Sequence, residues 1–128
     1  MATHLNPKVL IAEDEEAVGK FFELKLKSAG FDVRLAEDGQ EAWKAIEKEN
    51  FDVIIADIIM PKMSGYDLIK QIREKKITTP IIVSSNLGQN EDRERAKSLG
   101  ANEYFVKATL SVAELIFLVK KCLGNKSQ

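Results

Sequence analysis

At 128 residues the chain is long enough to bury one core and too short for two ordinary domains. Its 19 basic and 20 acidic residues are interspersed and leave a formal net charge of −1, which excludes the basic stripe that direct nucleic-acid binding or an anionic membrane surface would require. Cys122 stands alone, which excludes an intrachain disulfide or a cysteine metal cluster, and the first apolar run, Val9 to Ala12, stops too soon for a signal-peptide core or a membrane span, so a cytoplasmic protein with no membrane insertion is expected.

Residues 1–7 read as a flexible segment in which His4 is solvated. Lys8–Ala12 is the first strand candidate, followed by a helix over roughly 15–29 that Gly30 ends. Asp32–Ala36 alternates apolar and polar residues, as an edge strand with one wetter face would. The helix over 39–49 sets Ala42, Trp43 and Ile46 on one packing side. Asp52–Ala56 and Pro80–Ser84 are continuously apolar through Val53 to Ala56 and Ile81 to Val83, as strands covered on both faces should be. Between them the helix over 65–75 gathers Leu68, Ile69 and Ile72 into one stripe and leaves Lys70, Gln71 and Arg73 for the surface. A charge-rich helix over 90–99, with Arg93, Glu94, Arg95 and Lys97, reads as a solvated face that Gly100 ends. Glu103–Val106 is the fifth strand. The helix over 111–123 opens on a capping box, Ser111 with Glu114, and carries Cys122 as a small apolar residue; 124–128 is a polar tail.

Short β-branched runs alternate with amphipathic helices five times, the pattern of βαβ units. The expected fold is α/β, a doubly wound (βα)5 sheet of order 2-1-3-4-5 in a flavodoxin-like three-layer sandwich spanning 8–123. Ligands of such sheets bind beyond the carboxyl ends of the strands, where the strand order reverses. Just past the strands lie Glu13 and Asp14, Asp57, Ser85 and Lys107. Any one alone is bland, since an acidic pair opening a helix is ordinarily a favourable contact with the helix dipole. Arriving together, three carboxylates repel one another, and an oxygen-only donor set with room for water selects a hard divalent ion such as Mg²⁺. With that charge offset, Asp57 becomes a candidate nucleophile toward a phosphoryl group, with Lys107 as a second cation and Ser85 as a neutral donor.

The runs Ile11 to Glu15, Asp57 to Gly65, Pro80 to Ser85 and Gly100 to Lys107 resemble, in order and spacing, the receiver domain of two-component response regulators, the chemotaxis-regulator type included. The resemblance covers essentially the whole chain. It implies that Asp57 is the phosphoacceptor, supplied by a histidine kinase or a histidine phosphotransfer domain, and that Glu13, Asp14, Asp57 and the backbone carbonyl of Ile59 hold Mg²⁺, or Mn²⁺ in its place. It also implies that Lys107 touches the phosphoryl group and that Ser85 and Tyr104 form the switch, with Tyr104 moving inward. The downstream protein would meet the face formed by helix 4, strand 5 and helix 5. Ile59 and Leu87 would flank the path of attacking water and, being apolar, lengthen the life of the phosphorylated state.

Three residues depart from the family pattern. Glu13 replaces the commoner Asp and reaches one methylene farther, so its contact with a metal is expected to run through water. Ala108 stands where proline usually follows the lysine, and a trans Lys107–Ala108 bond is expected, because a cis bond without proline costs about 3 kcal/mol. Asn86 is bulkier than the small residue usual there and is expected to narrow access. These departures keep a second reading open, a degenerate receiver that serves as a phosphorylation-independent interaction module. A phosphatase with an aspartyl-phosphate intermediate would need an acid at position 59, where Ile59 cannot donate a proton. A nucleotide- or flavin-binding fold of this topology would need a Gly- or Thr/Ser-rich phosphate loop after the first strand, where this chain has acids.

Overall fold

The computed structural model describes residues 6–86 and 90–126; His4, Leu87 and the last two residues of the tail lie outside that range. Strands and helices alternate strictly: β1 (Lys8–Ala12), α1 (Glu16–Ser28), β2 (Asp32–Ala36), α2 (Gly39–Lys48), β3 (Val53–Asp57), α3 (Gly65–Glu74), β4 (Ile81–Ser85), α4 (Asn90–Leu99), β5 (Glu103–Val106) and α5 (Val112–Lys126), with a 3₁₀ turn at Lys107–Thr109 before α5. All strand pairs are parallel and the order is β2-β1-β3-β4-β5, the flavodoxin-like arrangement. Every residue of β3 and β4 is buried, whereas β2 at the edge alternates.

Side-chain alternation along the strands divides the core in two. Leu10, Ile54, Ile81, Val83 and Tyr104 face α2, α3 and α4, where Ala45, Leu68, Ile69, Ile72 and Ala96 cover them. Val9, Ile11, Ile55, Ile82 and Phe105 face α1 and α5, under Phe22, Leu26, Leu115, Val119 and Cys122. Each fully buried Leu or Ile contributes roughly 1.5–3 kcal/mol relative to an exposed one. Trp43 packs at the margin of the first core.

The capping box that opens α5 is formed in both directions: the Glu114 amide donates to the Ser111 hydroxyl at 3.1 Å, and the Ser111 amide to the Glu114 carboxylate at 3.0 Å. Gly30 and Gly100 sit after their helices at φ +98° and +123°, the left-handed region where glycine carries no Cβ penalty.

Several boundaries differ from those the sequence suggests. β3 and β4 run one residue later at both ends, because their register continues to the Asp57–Ser84 pair; Asp57 and Ser85 are therefore the last residues of their strands rather than the first beyond them. α5 runs through Gly124 to Lys126 rather than ending at 123. One helical glycine costs only about 1 kcal/mol, and Leu123 beside it packs against the core.

Arg73 is not a surface residue of the ordinary kind. Its guanidinium donates to the carbonyls of Ile77 (2.8 Å), Thr79 (2.9 Å) and Gly100 (2.9 and 3.2 Å) and to the Asn102 side chain (3.1 Å), tying the end of α3 to the entry of β4 and β5. A Cβ at Gly100 would press on that side chain at 2.7 Å.

Candidate functional site

The carboxyl ends of β1, β3 and β5 bring charge to one point. Glu13 directly follows β1, and its amide donates to the Ala36 carbonyl at 3.0 Å, so its backbone is fixed in the sheet. Asp57 ends β3, buried between strands on both sides. Lys107 follows β5 and reaches across to both: Nζ lies 2.9 Å from Asp57 Oδ2 and 3.0 and 3.2 Å from the two Glu13 oxygens. These side chains are nearly closed to solvent, 8% exposed for Lys107, 7% for Asp57 and 2% for Glu13.

Burial is the largest single influence on Lys107 and lowers its pKa, but the hydrogen bonds and the charges of Asp57 and Glu13 together raise it, so the ammonium stays charged. Burial raises the Glu13 carboxyl, and the Lys107 and Glu15 hydrogen bonds only partly offset that.

The loop after β3 is held close to this point. The Ile59 amide donates to Asp57 Oδ1 at 3.3 Å, and the Gly65 amide to the Ile58 carbonyl at 2.7 Å. A Cβ at Gly65 would run into the Asp57 carbonyl oxygen, so α3 can start this near the site only with glycine there. The Ile59 side chain is 63% exposed on the rim, and Asn86 is exposed beyond β4. Ser85 ends β4 with its hydroxyl hydrogen-bonded to the Tyr104 phenol; burial raises the phenol's pKa and this hydrogen bond works against the rise. Tyr104 is only 6% exposed and lies inward. The peptide bonds of the described residues are all trans, Lys107–Ala108 included.

Glu13, Asp14, Asp57 and Lys107 are thus brought together as the sequence suggests, while Ser85 and Tyr104 pair beside them. Glu15 was missed: its carboxylate lies 3.2 Å from Lys107 Nζ, and the only hint was that it extends the acidic run. Arg93 and Arg95 were also missed as structural groups. Arg93 stacks over the Tyr104 ring at 4.8 Å and donates to the Tyr104 carbonyl, and Arg95 stacks over Tyr66 at 4.0 Å, whose hydroxyl donates to Asp92.

The residues fit a hard divalent cation. Glu13, Asp14 and Asp57 each present a carboxylate oxygen within 4.8 Å of the others. At such separations a pair of carboxylates repels by about 3–4 kcal/mol for an effective dielectric near 20. Lys107 is one positive charge against them. Asp14 is exposed, which leaves an open, oxygen-only site suited to an ion that keeps several waters.

A family model for the response regulator receiver domain matches residues 9–120. The chain belongs to this family. Among curated relatives, this receiver domain is 35% identical over 103 residues to the alkaline phosphatase synthesis transcriptional regulatory protein PhoP of Bacillus subtilis (strain 168), covering 80% of this chain and 43% of that protein. It is 43% identical over 100 residues to the probable transcriptional regulator ycf27 of Guillardia theta, covering 78% and 39%. It therefore spans less than half the length of either.

Among solved structures, the Francisella response regulator 1452 receiver domain superposes with a TM-score of 0.91 at 36% identity, covering 94% of this chain and 99% of that one. The chemotaxis protein CheY4 of Vibrio cholerae gives 0.86 at 31%, covering 92% and 99%. The receiver domain is a signalling module of two-component systems rather than a dedicated enzyme, and it implies a kinase partner. No helix among the described residues is long and apolar enough to cross a membrane.

Proposed function

We propose that the receiver domain takes a phosphoryl group onto Asp57 from the phosphohistidine of a histidine kinase or phosphotransfer domain. The observation that carries this reading is the Lys107 ammonium bonded to both Asp57 and Glu13 at the closed end of an acidic cluster. An Asp57 carboxylate oxygen attacks phosphorus, the bond from phosphorus to the imidazole nitrogen breaks, and the imidazole leaves with its electron pair. Lys107 faces the incoming anion and offsets the charge on its oxygens, while Glu13 and Glu15 fix the position of the ammonium. Glu13, Asp14 and Asp57, with the Ile59 carbonyl, would hold Mg²⁺ or Mn²⁺, which when bound neutralises part of the repulsion between carboxylate and phosphoryl oxygens.

Ser85 then exchanges its bond with Tyr104 for one with the phosphoryl group, and the face formed by α4, β5 and α5 changes its affinity for a downstream protein. Ile59 offers no polar group to orient water, so the phosphorylated state lasts many minutes to hours, and the Ile59→Asn, Leu87→Glu double variant loses its phosphoryl group at least several-fold faster once the phosphodonor is removed.

The test is incubation with a small phosphodonor and Mg²⁺, with and without excess chelator, followed by intact-mass spectrometry. One added phosphoryl group that chelator prevents is expected. Undiminished labelling in chelator contradicts the metal assignment, and no labelling at all favours the phosphorylation-independent interaction module.

A further inference from the structure

Among the described residues, one buried side-chain polar atom has no hydrogen-bond partner, the hydroxyl of Ser84, which is 1% exposed. A buried hydroxyl left unpaired is costly, and one that a native structure keeps calls for a functional explanation. Its place in the sheet suggests which state. Ser84 is the register partner of Asp57 across β3 and β4. Two residues earlier, Ile55 and Ile82 pair in the same way and both face α1 and α5, so strand alternation puts Asp57 and Ser84 side by side on that face. Lys107 lies on the same side, lining a groove with Ala17, Val18 and Phe22 of α1. Because β4 stands between β5 and β3, the Lys107 side chain must cross β4 to reach Asp57, and Ser84 is the β4 residue facing that crossing at the level of Asp57.

Resting on the phosphoacceptor reading above, we propose that Ser84 is a positioning residue for Lys107, its hydroxyl oxygen accepting a hydrogen bond from the ammonium once Asp57 carries the phosphoryl group. In the present state the ammonium is occupied by Asp57, Glu13 and Glu15. Conversion to the acyl phosphate removes the charge from the Asp57 carboxyl and weakens it as an acceptor. The ammonium turns toward the phosphoryl oxygens and frees a hydrogen beside Ser84. The hydroxyl is thus unsatisfied at rest and satisfied after phosphorylation, which favours the phosphorylated state without touching phosphorus.

Ser84→Thr and Ser84→Val have nearly the same shape and differ in the hydroxyl, and Ser84→Ala covers the case in which neither folds. Thermal midpoints are measured without ligand, and beryllofluoride affinity in Mg²⁺ is followed through the Tyr104 amide shift, with wild type and Asp57→Asn alongside. The Val and Ala variants should melt no lower than wild type yet bind beryllofluoride about three- to tenfold more weakly, the worth of one hydrogen bond, and Thr should retain wild-type affinity. Val binding as tightly as Thr, or Ala as tightly as wild type, overturns the role of Ser84 alone. Wild type that binds no better than Asp57→Asn overturns the phosphoacceptor reading and this inference with it.

Discussion

The Arg73 guanidinium serves three backbone carbonyls in part-buried contacts and one side-chain oxygen in an exposed one. Arg73→Ala should therefore lower unfolding free energy by about 2–4 kcal/mol in urea titration, since it strands several acceptors at once. Arg73→Lys should recover less than half, because a lysine lacks the planar fork that spans these acceptors. Composition and periodicity could not show this. An arginine beside an apolar stripe is normally solvated, and its acceptors are main-chain carbonyls up to 27 residues away.

Cys122, by contrast, behaves as its sequence position suggests, a small buried residue on α5. Burial first, and the Glu103 charge second, push its thiol from about 9 up to about 11. The folded protein thus holds its proton longer than the unfolded chain. The associated stability is full below pH 9 and is lost as pH rises through 9 toward 11. Alkylation of Cys122 at pH 8 should be at least tenfold slower in the native protein than in urea, and equal rates would contradict its burial.

At the scale of elements, α4 differs from its neighbours in how it is held. Ala96 is its one buried residue, whereas α3 buries Leu68, Ile69 and Ile72. Its other attachments include the half-buried Leu99, the pair of arginine–tyrosine stacks, each worth about 0.5–2 kcal/mol, and the Arg93–Tyr104 carbonyl and Tyr66–Asp92 hydrogen bonds. Amides of α4 should exchange with deuterium earlier than those of α3, and Arg95→Ala should speed α4 selectively, by several-fold. Uniform acceleration across the domain would show that Arg95 supports the whole fold instead.

The existence and order of the elements were legible because hydrophobic period switches cleanly between two and three to four residues. The attachment of α4 was not, since its aromatic partners lie on α3 and β5, far away in sequence. Its charges read as solvated until the fold brings Tyr66 and Tyr104 beneath them.

At the scale of the whole molecule, three of the five parallel strands bring Glu13 and Asp57 into direct contact with Lys107 from positions as far as 94 residues apart. This convergence was readable because strand ends of a doubly wound sheet share one rim. The pairing of Ser85 with Tyr104 was suggested only by family resemblance. The involvement of Glu15 needed the helix start that points it back at Lys107.

The cluster also links stability to metal. Saturating Mg²⁺ should raise the thermal midpoint, by the equivalent of about 2.7 kcal/mol at a hundredfold excess over its dissociation constant. Asp14→Asn should shrink that rise while leaving the metal-free midpoint unchanged or higher, because it removes repulsion without touching Lys107.

The function rests on the chemistry of a single carboxylate, which borohydride reduction can identify. After treatment with a small phosphodonor and Mg²⁺, an acyl phosphate at Asp57 is reduced to homoserine, which peptide mass spectrometry places by sequence. Homoserine is expected at position 57 and at no other acidic residue, with none in protein that saw no phosphodonor. Homoserine at Asp14, the one-carbon-longer alcohol 2-amino-5-hydroxypentanoic acid at Glu13, or an unmodified Asp57 in protein that has gained a phosphoryl group, would contradict it.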